Sequence, residues 1–208
     1  MKDNFQNEAS LQSVIAKLEN LFDKFNEKFF KSKLQKVVIS VSPDNGNNAH
    51  GWFTLGKMWK GENEYHEINI VAESLNRPFL EVCATLLHEM VHLNNNQKDL
   101  KDTSRGLTYH NKVFKTEAEK AGLIIEHSKR YGWSITSLHP TTEEFILKNF
   151  GEENQFKIYR KKFEKEKKAK SKQSSRKYVC LKCKTTIRAT KKVNVTCTDC
   201  DEIFEEVI

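Results

Sequence analysis

Scarcity is the first informative property of this 208-residue chain. It has only three prolines, so long helices can run without interruption. No apolar run approaches the roughly 18 residues of a membrane helix, which excludes a spanning segment of that kind. No N-terminal run combines a charged start, an apolar middle and a small-residue cleavage site, which argues against a secretory leader. The expectation is a soluble, cytoplasmic, monomeric protein with no membrane partner. Cysteines are few as well. Four of the five fall in two CxxC pairs and the fifth, Cys83, stands alone. In a reducing compartment paired CxxC units point to metal rather than to disulfides. No internal repeat is evident.

What is present supports a real core. Apolar residues make up 38% of the chain and include thirteen Phe, enough for one well-buried domain with a small appendage. The net charge of +7 is concentrated in "KIYRKKFEKEKKAKSKQSSRK", residues 157 to 177, which has eleven Lys or Arg against two Glu. Set against 35 basic and 28 acidic residues in the whole chain, this leaves 24 and 26 elsewhere. Such localisation suggests a polyanion contact, with a solvated charge-rich linker as the alternative. Lys161, Lys162, Lys165, Lys167, Lys168 and Lys170 are the candidate phosphate contacts.

Periodicity predicts a helix over 8–30, where Leu11, Val14, Ile15, Leu18, Leu21, Phe22, Phe25 and Phe29 share one face. "KVVISVS" (36–42), "GWFTLG" (51–56) and "HEINIV" (66–71) read as strands, separated by the turn-rich "PDNGNN" and "KGENE". A second helix is expected from about Pro78 to Asn94, with Leu80, Cys83, Leu87 and Val91 as its apolar stripe. A third should cover 110–121 and stop at Gly122, followed by a short extended piece and a helix from about 141. The fold class this implies is α+β, helices packed on a small three-stranded sheet. The expected divisions are a domain over 8–150, a basic linker or helix over 151–177, and a small β module over 178–208.

Within the second helix, "ATLLHEMVHLNNN" places His88 and His92 four residues apart. At that spacing they lie about 40° apart around the helix and can chelate one ion. Glu89, about 100° from His88, could take a proton from an activated water without joining the ligands. This is the division of labour in HExxH metallopeptidases, with zinc as the ion. A chance surface cluster is the alternative. A catalytic zinc also needs a third protein ligand. The other histidines are His50, His66, His110, His127 and His139. The metzincin spacing would require Gly at 95 and His at 98, where Asn95 and Lys98 stand, so that class is excluded. His110 is the best candidate because it begins the next predicted helix, after a loop long enough to return it to the metal; His127 is the second choice.

At this point the chain resembles the SprT-like metallopeptidases, which include the DNA–protein crosslink protease Spartan. The resemblance spans roughly residues 18 to 204, in a compact form. "FNEKFF" looks like the family's first-helix signature, "GWF" with "INIVAESL" its sheet, and "LLHEMVHLNNN" its active-site helix. "YHNKVF" is similar to the segment carrying the family's third histidine, although Tyr109 and Asn111 stand where that histidine is often flanked by Gly. The resemblance implies His88, His92 and His110 as zinc ligands and Glu89 as the catalytic base. It also implies protein substrates bound or crosslinked to DNA.

Near the C-terminus, "CLKC" and "CTDC" place Cys180, Cys183, Cys197 and Cys200 as two pairs separated by thirteen residues. That spacing fits a tetrahedral Cys₄ zinc ribbon, with a redox pair as the weaker alternative. Lys184 and Asp201 occupy the positions where a glycine usually follows each knuckle. Tyr178 and Phe204 are expected to prop the ribbon's core more than to stack on bases, and Cys83 to be an inert core residue. Two zinc ions, one catalytic and one structural, are the expected cofactors. Two other functions compete with a DNA-associated endopeptidase. One is a nucleic-acid-binding zinc protein without peptidase activity, against which the intact Glu89 argues. The other is a general intracellular peptidase with no DNA role.

Overall fold

The computed structural model describes residues 9–46, 48–151, 156–162 and 175–207. The chain divides into two compact units, Met1–Lys162 and Phe163–Ile208.

In the first unit, α1 (Leu11–Phe30) is set by a reciprocal cap in which Ser10 accepts from the Ser13 backbone N–H. It ends at Lys31 in a left-handed conformation. Val14, Leu18, Leu21, Phe22 and Phe25 are buried from this helix, while Leu11, in its first turn, stays about half exposed at 51%. The sheet has the three expected strands, β1 (Val38–Ser42), β2 (Gly51–Lys60) and β3 (Glu64–Val71). Their order is β1-β3-β2, with β1 parallel and β2 antiparallel to β3. The central strand therefore buries Ile68, Ile70 and Val71. Both hairpin strands run beyond their apolar stretches, and the reversal narrows to residues 61–63, where the Gly61 N–H donates to the Asn63 carbonyl.

Helix α2 (Phe79–Gln97) starts directly after Pro78. It carries more than a single stripe: Phe79, Val82, Cys83, Leu86, Leu87, Met90, Val91 and Leu93 are all buried. A helix apolar on nearly every side is the axis of its domain. Cys83 is fully buried and burial pushes its thiol well up, so it is an inert core residue. Gly51 lets β2 close on this helix, because a Cβ there would meet the Asn69 carbonyl at 2.8 Å and the Thr85 methyl at 3.0 Å.

After α2 the chain forms a second sheet that sequence periodicity does not announce. Its strands are β4 (Thr103–Ser104), β5 (Tyr109–His110), β6 (Leu123–Ser128) and β7 (Gly132–Leu138), in the order β4-β5-β7-β6. Two of these are only two residues long and show no periodicity to read. Between β5 and β6 lies α3 (Lys112–Lys120). The Asn111 side chain caps it by accepting from the Val113 and Phe114 N–H groups. His110 thus lies in an extended strand before the helix, not in its first turn as expected. Helix α4 (Pro140–Phe150) follows, capped by His139, whose ring accepts from the Thr141 N–H. Residues 156–162, which include the start of the basic segment, belong with this unit. Phe156 is buried in the core against Phe79, and Arg160 pairs with Glu73 at 2.6 Å.

The second unit is a small β module with β8 (Arg176–Val179), β9 (Thr186–Ala189), β10 (Thr196–Cys197), β11 (Glu202–Ile203) and β12 (Glu205–Val207). They form a three-stranded sheet, β12-β8-β9, and a β10-β11 pair. Tyr178, Cys180, Cys197 and Phe204 make its core, as props should.

Candidate metal centre and active site

The HExxH helix brings His88 and His92 to one side, and β5 brings His110 to meet them. The Nε2 atoms of His88 and His92 each lie 3.1 Å from Nε2 of His110. Nitrogens coordinating one zinc ion tetrahedrally at about 2.0–2.1 Å stand about 3.3–3.4 Å apart, so the three imidazoles are spaced as a ligand set.

The far sides of the rings decide which nitrogen carries the proton. His92 Nδ1 faces the Asp102 carboxylate at 2.7 Å, which can only accept. His110 Nδ1 faces the Tyr131 carbonyl at 3.4 Å. His88 Nδ1 lies 2.8 Å from the Thr136 hydroxyl, which in turn donates to the Ser134 carbonyl and so is free to accept. Each outer partner can accept from Nδ1, so each ring can turn an unprotonated Nε2 inward. Three converging lone pairs repel unless a cation sits between them, and outer partners of this kind are those that orient metal-binding histidines. Burial, then the two neighbouring imidazoles, hold His88 well below the ordinary histidine range. Burial and His92 hold His110 down to about 4. Both are thus neutral at neutral pH, the state that ligation requires.

Two further residues build the centre: Phe114, which the resemblance of "YHNKVF" places four residues after the third histidine, and Asn95, which the HExxH motif does not include. Phe114, fully buried one turn into α3, packs against all three imidazoles with ring centroids 4.5, 4.6 and 4.7 Å away. Asn95, fully buried and three residues beyond His92, donates to the same Asp102 oxygen at 2.9 Å. Burial works to raise the Asp102 carboxyl, but the hydrogen bonds from His92 and Asn95 outweigh it and hold the group below its usual range. The only sequence signal for Asn95 is its place one turn after a ligand on the same helix.

Glu89 is buried at 6% exposure, and its carboxylate accepts a backbone hydrogen bond from Phe53 of β2. Burial pushes its carboxyl up to about 7, against the opposing pull of His92 and of that hydrogen bond. A carboxylate with such an affinity for protons suits a proton acceptor at neutral pH.

The other four histidines each have a different occupation. His50 Nδ1 lies 2.8 Å from the Ser74 hydroxyl. His66 is buried in the sheet, with Nδ1 3.1 Å from the Thr54 carbonyl and its ring against Phe53. His127, the second choice for third ligand, sits on the surface between Tyr109 and Trp133. His139 caps α4.

In the second unit the four cysteine sulfurs lie within 4.8 Å of one another, with none in a disulfide. Cys183 and Cys197 stand 3.7 Å apart, near the 3.8 Å or so expected of thiolates sharing a tetrahedral zinc at about 2.3 Å. The missing knuckle glycines are replaced in conformation: Lys184 and Asp201 adopt φ of 63° and 54°. Their N–H groups donate to the Cys180 and Cys197 carbonyls at 2.9 and 2.8 Å, which closes each turn. The turns form without glycine, at a cost of about 1–2 kcal/mol each.

Of the candidate phosphate contacts, Lys161 and Lys162 are exposed, and Lys162 lines a shallow cleft with His50, Glu73 and Arg77. Lys165, Lys167, Lys168 and Lys170 lie outside the described residues.

A family model described as the SprT-like family matches residues 18–142. The chain belongs to the SprT-like family. Its first unit is accordingly a metallopeptidase-like domain, and the match includes the three histidines, Glu89, Asp102, Phe114 and Thr136. The SprT-like match stops before the cysteines, so the C-terminal module rests on its own sulfur geometry. No curated protein and no solved structure matches the chain. Among the described residues, no helix of this SprT-like protein is long and apolar enough to cross a membrane.

Proposed function

We propose that this protein is a zinc-dependent endopeptidase that cleaves proteins bound or crosslinked to DNA, its DNA contacts including the basic segment. The observation that carries the peptidase reading is the convergence of three imidazole Nε2 atoms beside a buried carboxylate. His88, His92 and His110 would hold the ion, and Cys180, Cys183, Cys197 and Cys200 a second, structural zinc. When bound at the histidines, zinc supplies Lewis acidity that makes water a nucleophile at neutral pH. Glu89 accepts the proton released as water adds to the scissile carbonyl carbon. It then delivers that proton to the departing amine as the C–N bond breaks. Asp102, Tyr131 and Thr136 keep the three rings aimed while this occurs. β2 lies at the edge of its sheet and passes Glu89 at Phe53, so an extended substrate chain has a strand to pair with. The histidine-rich centre favours this reading over a zinc protein that only binds nucleic acid, because a structural site needs no buried proton acceptor.

Two zinc ions per chain are expected, the thiolate-bound one held more tightly. Metal analysis during dialysis against a mild chelator should show one ion leaving first; a total of one zinc, or disulfides among the four cysteines, would refute the assignment.

The DNA part rests on the family resemblance and on the charge of residues 157–177. Replacing Lys165, Lys167, Lys168 and Lys170 with Gln should weaken binding to unrelated DNA sequences alike. It should also flatten the salt dependence by roughly one unit for each phosphate no longer neutralised. Hydrolysis of DNA-bound protein should fall while that of a free unfolded protein persists. DNA binding at full strength after these changes would place the DNA interface elsewhere.

A further inference from the structure

The face of α2 that carries the two histidines continues toward the start of the helix. Glu81, Thr85, His88 and His92 recur at spacings of four, three and four, and each is at least partly exposed. β2 follows this face. A Cβ at Gly51 would meet the Thr85 methyl at 3.0 Å, and Phe53 donates its backbone N–H to Glu89. The two contacts advance together, so β2 and α2 run the same way, and the free edge of β2 faces the centre. Antiparallel pairing is slightly the more stable kind, and a chain paired so with β2 runs opposite to α2. Its C-terminal part leaves the centre past Gly51 and Thr85.

At that end lies a cleft of about 110 Å³, lined by Asp44, His50, Glu73, Ser74, Arg77 and Lys162 among others. Arg77 ties it to the ligand face: Nη2 donates to the Thr85 hydroxyl at 2.6 Å, and Nε to the Ser74 carbonyl at 3.2 Å. His50 Nδ1 is engaged with the Ser74 hydroxyl at 2.8 Å, which leaves Nε2 for a ligand. Among the described residues, Lys162 has no carboxylate partner. The carboxylates here are less available. Glu73 Oε1 takes Arg160 at 2.6 Å, and Oε2 takes the Asp44 N–H at 3.0 Å. Asp44 accepts from the Gly46 N–H at 2.9 Å. Glu81 stands 3.7 Å from Arg77 on the solvent side, 56% exposed. Burial, then Arg77 and Lys162, hold His50 below the ordinary histidine range, against a smaller opposing pull from Glu81 and Asp44. The cations therefore dominate at the His50 ring.

We propose that this cleft is a substrate subsite for an acidic side chain, about two residues beyond the cleaved bond on its C-terminal side. The inference rests on the peptidase reading and deepens it by naming a feature of the substrate. Gly51 precedes Phe53 by two residues, about 7 Å along a strand, which sets that distance. Arg77, already clamped by Ser74 and Thr85, offers a planar fork that matches a carboxylate, and Lys162 adds a second charge on a flexible stem. A basic side chain at the same place would meet both cations.

The test uses a peptide whose cleavage point has been mapped by mass spectrometry, remade with Glu, Gln or Lys at the first, second or third position after the bond. Cleavage is measured without DNA. At one of these positions the wild type should prefer Glu over Gln by about tenfold in kcat/KM, through KM more than kcat, with Lys the poorest. Lys162→Glu should bring that preference near parity and leave the Gln peptide cleaved as before. Arg77→Gln should act likewise; its thermal midpoint and metal content report whether it is folded, and the exposed Lys162 carries the test if it is not. Equal rates for Glu and Gln at all three positions would overturn the subsite and leave the peptidase reading standing. So would a preference that survives Lys162→Glu and a folded Arg77→Gln. Weaker oligothymidine binding by Lys162→Glu, with the ratio of Glu to Gln unchanged, would assign the cleft to phosphate and equally overturn it. Should no peptide be cleaved, the peptidase reading fails separately, and anisotropy with the same peptides decides the cleft. Tighter binding of a Glu peptide, lost in Lys162→Glu, would support an anion site, and equal binding of Glu and Gln peptides would overturn it.

Discussion

Glu89→Gln should keep its zinc and lose nearly all hydrolysis. The substitution preserves shape and leaves the three imidazoles untouched, so metal occupancy is not expected to change. What disappears is the acceptor: an amide cannot take the proton of the attacking water nor return it to the amine. General-base contributions of this kind are worth about a hundred- to ten-thousandfold in rate. The carboxyl is pushed up to about 7 by burial, so the protein forgoes solvation of this charge to keep a proton acceptor inside. A purely structural carboxylate would gain from the change to Gln, since a neutral amide is less costly to bury. Peptidase assays on a free unfolded protein, run beside metal analysis of the same preparation, check this. Activity near the wild-type level would remove Glu89 from proton transfer.

His110→Ala should empty the histidine site while leaving the cysteine-bound ion in place. Two imidazoles from one helix remain, without the third donor that closes the set. Loss of an outer partner commonly costs about 10- to 100-fold in metal affinity, and loss of a ligand should cost more. Asp102→Ala gives the intermediate case, because His92 would keep its position on α2 but lose the acceptor that fixes its tautomer. His127→Ala is the comparison that separates geometry from composition. That residue is the second choice by sequence, yet it faces Tyr109 and Trp133 rather than the ligand set. Equilibrium zinc titration should rank the losses as His110, then Asp102, with His127 near wild type. Unchanged occupancy in His110→Ala would mean that another group completes the site.

The parts legible in the sequence are those with short-range rules. Helical spacing alone puts His88 and His92 on one side of α2 with Glu89 beside them, and two CxxC pairs announce four converging sulfurs. The same holds for the apolar face of α1 and the three strands of the first sheet, each long enough to show a period. Tertiary structure decided the rest. His110 became the third member because β5 pairs with β7 across more than twenty residues, a pairing no local pattern encodes. Asp102, Thr136 and the Tyr131 carbonyl orient the rings from three different segments, and each acquires that role only through folding. Local spacing puts His110 in a helix, whereas the Asn111 cap starts α3 two residues later and leaves His110 extended. Periodicity reports which side of an element is buried. It does not say which elements meet, and the site's third ligand, its outer partners and its floor all depend on that meeting.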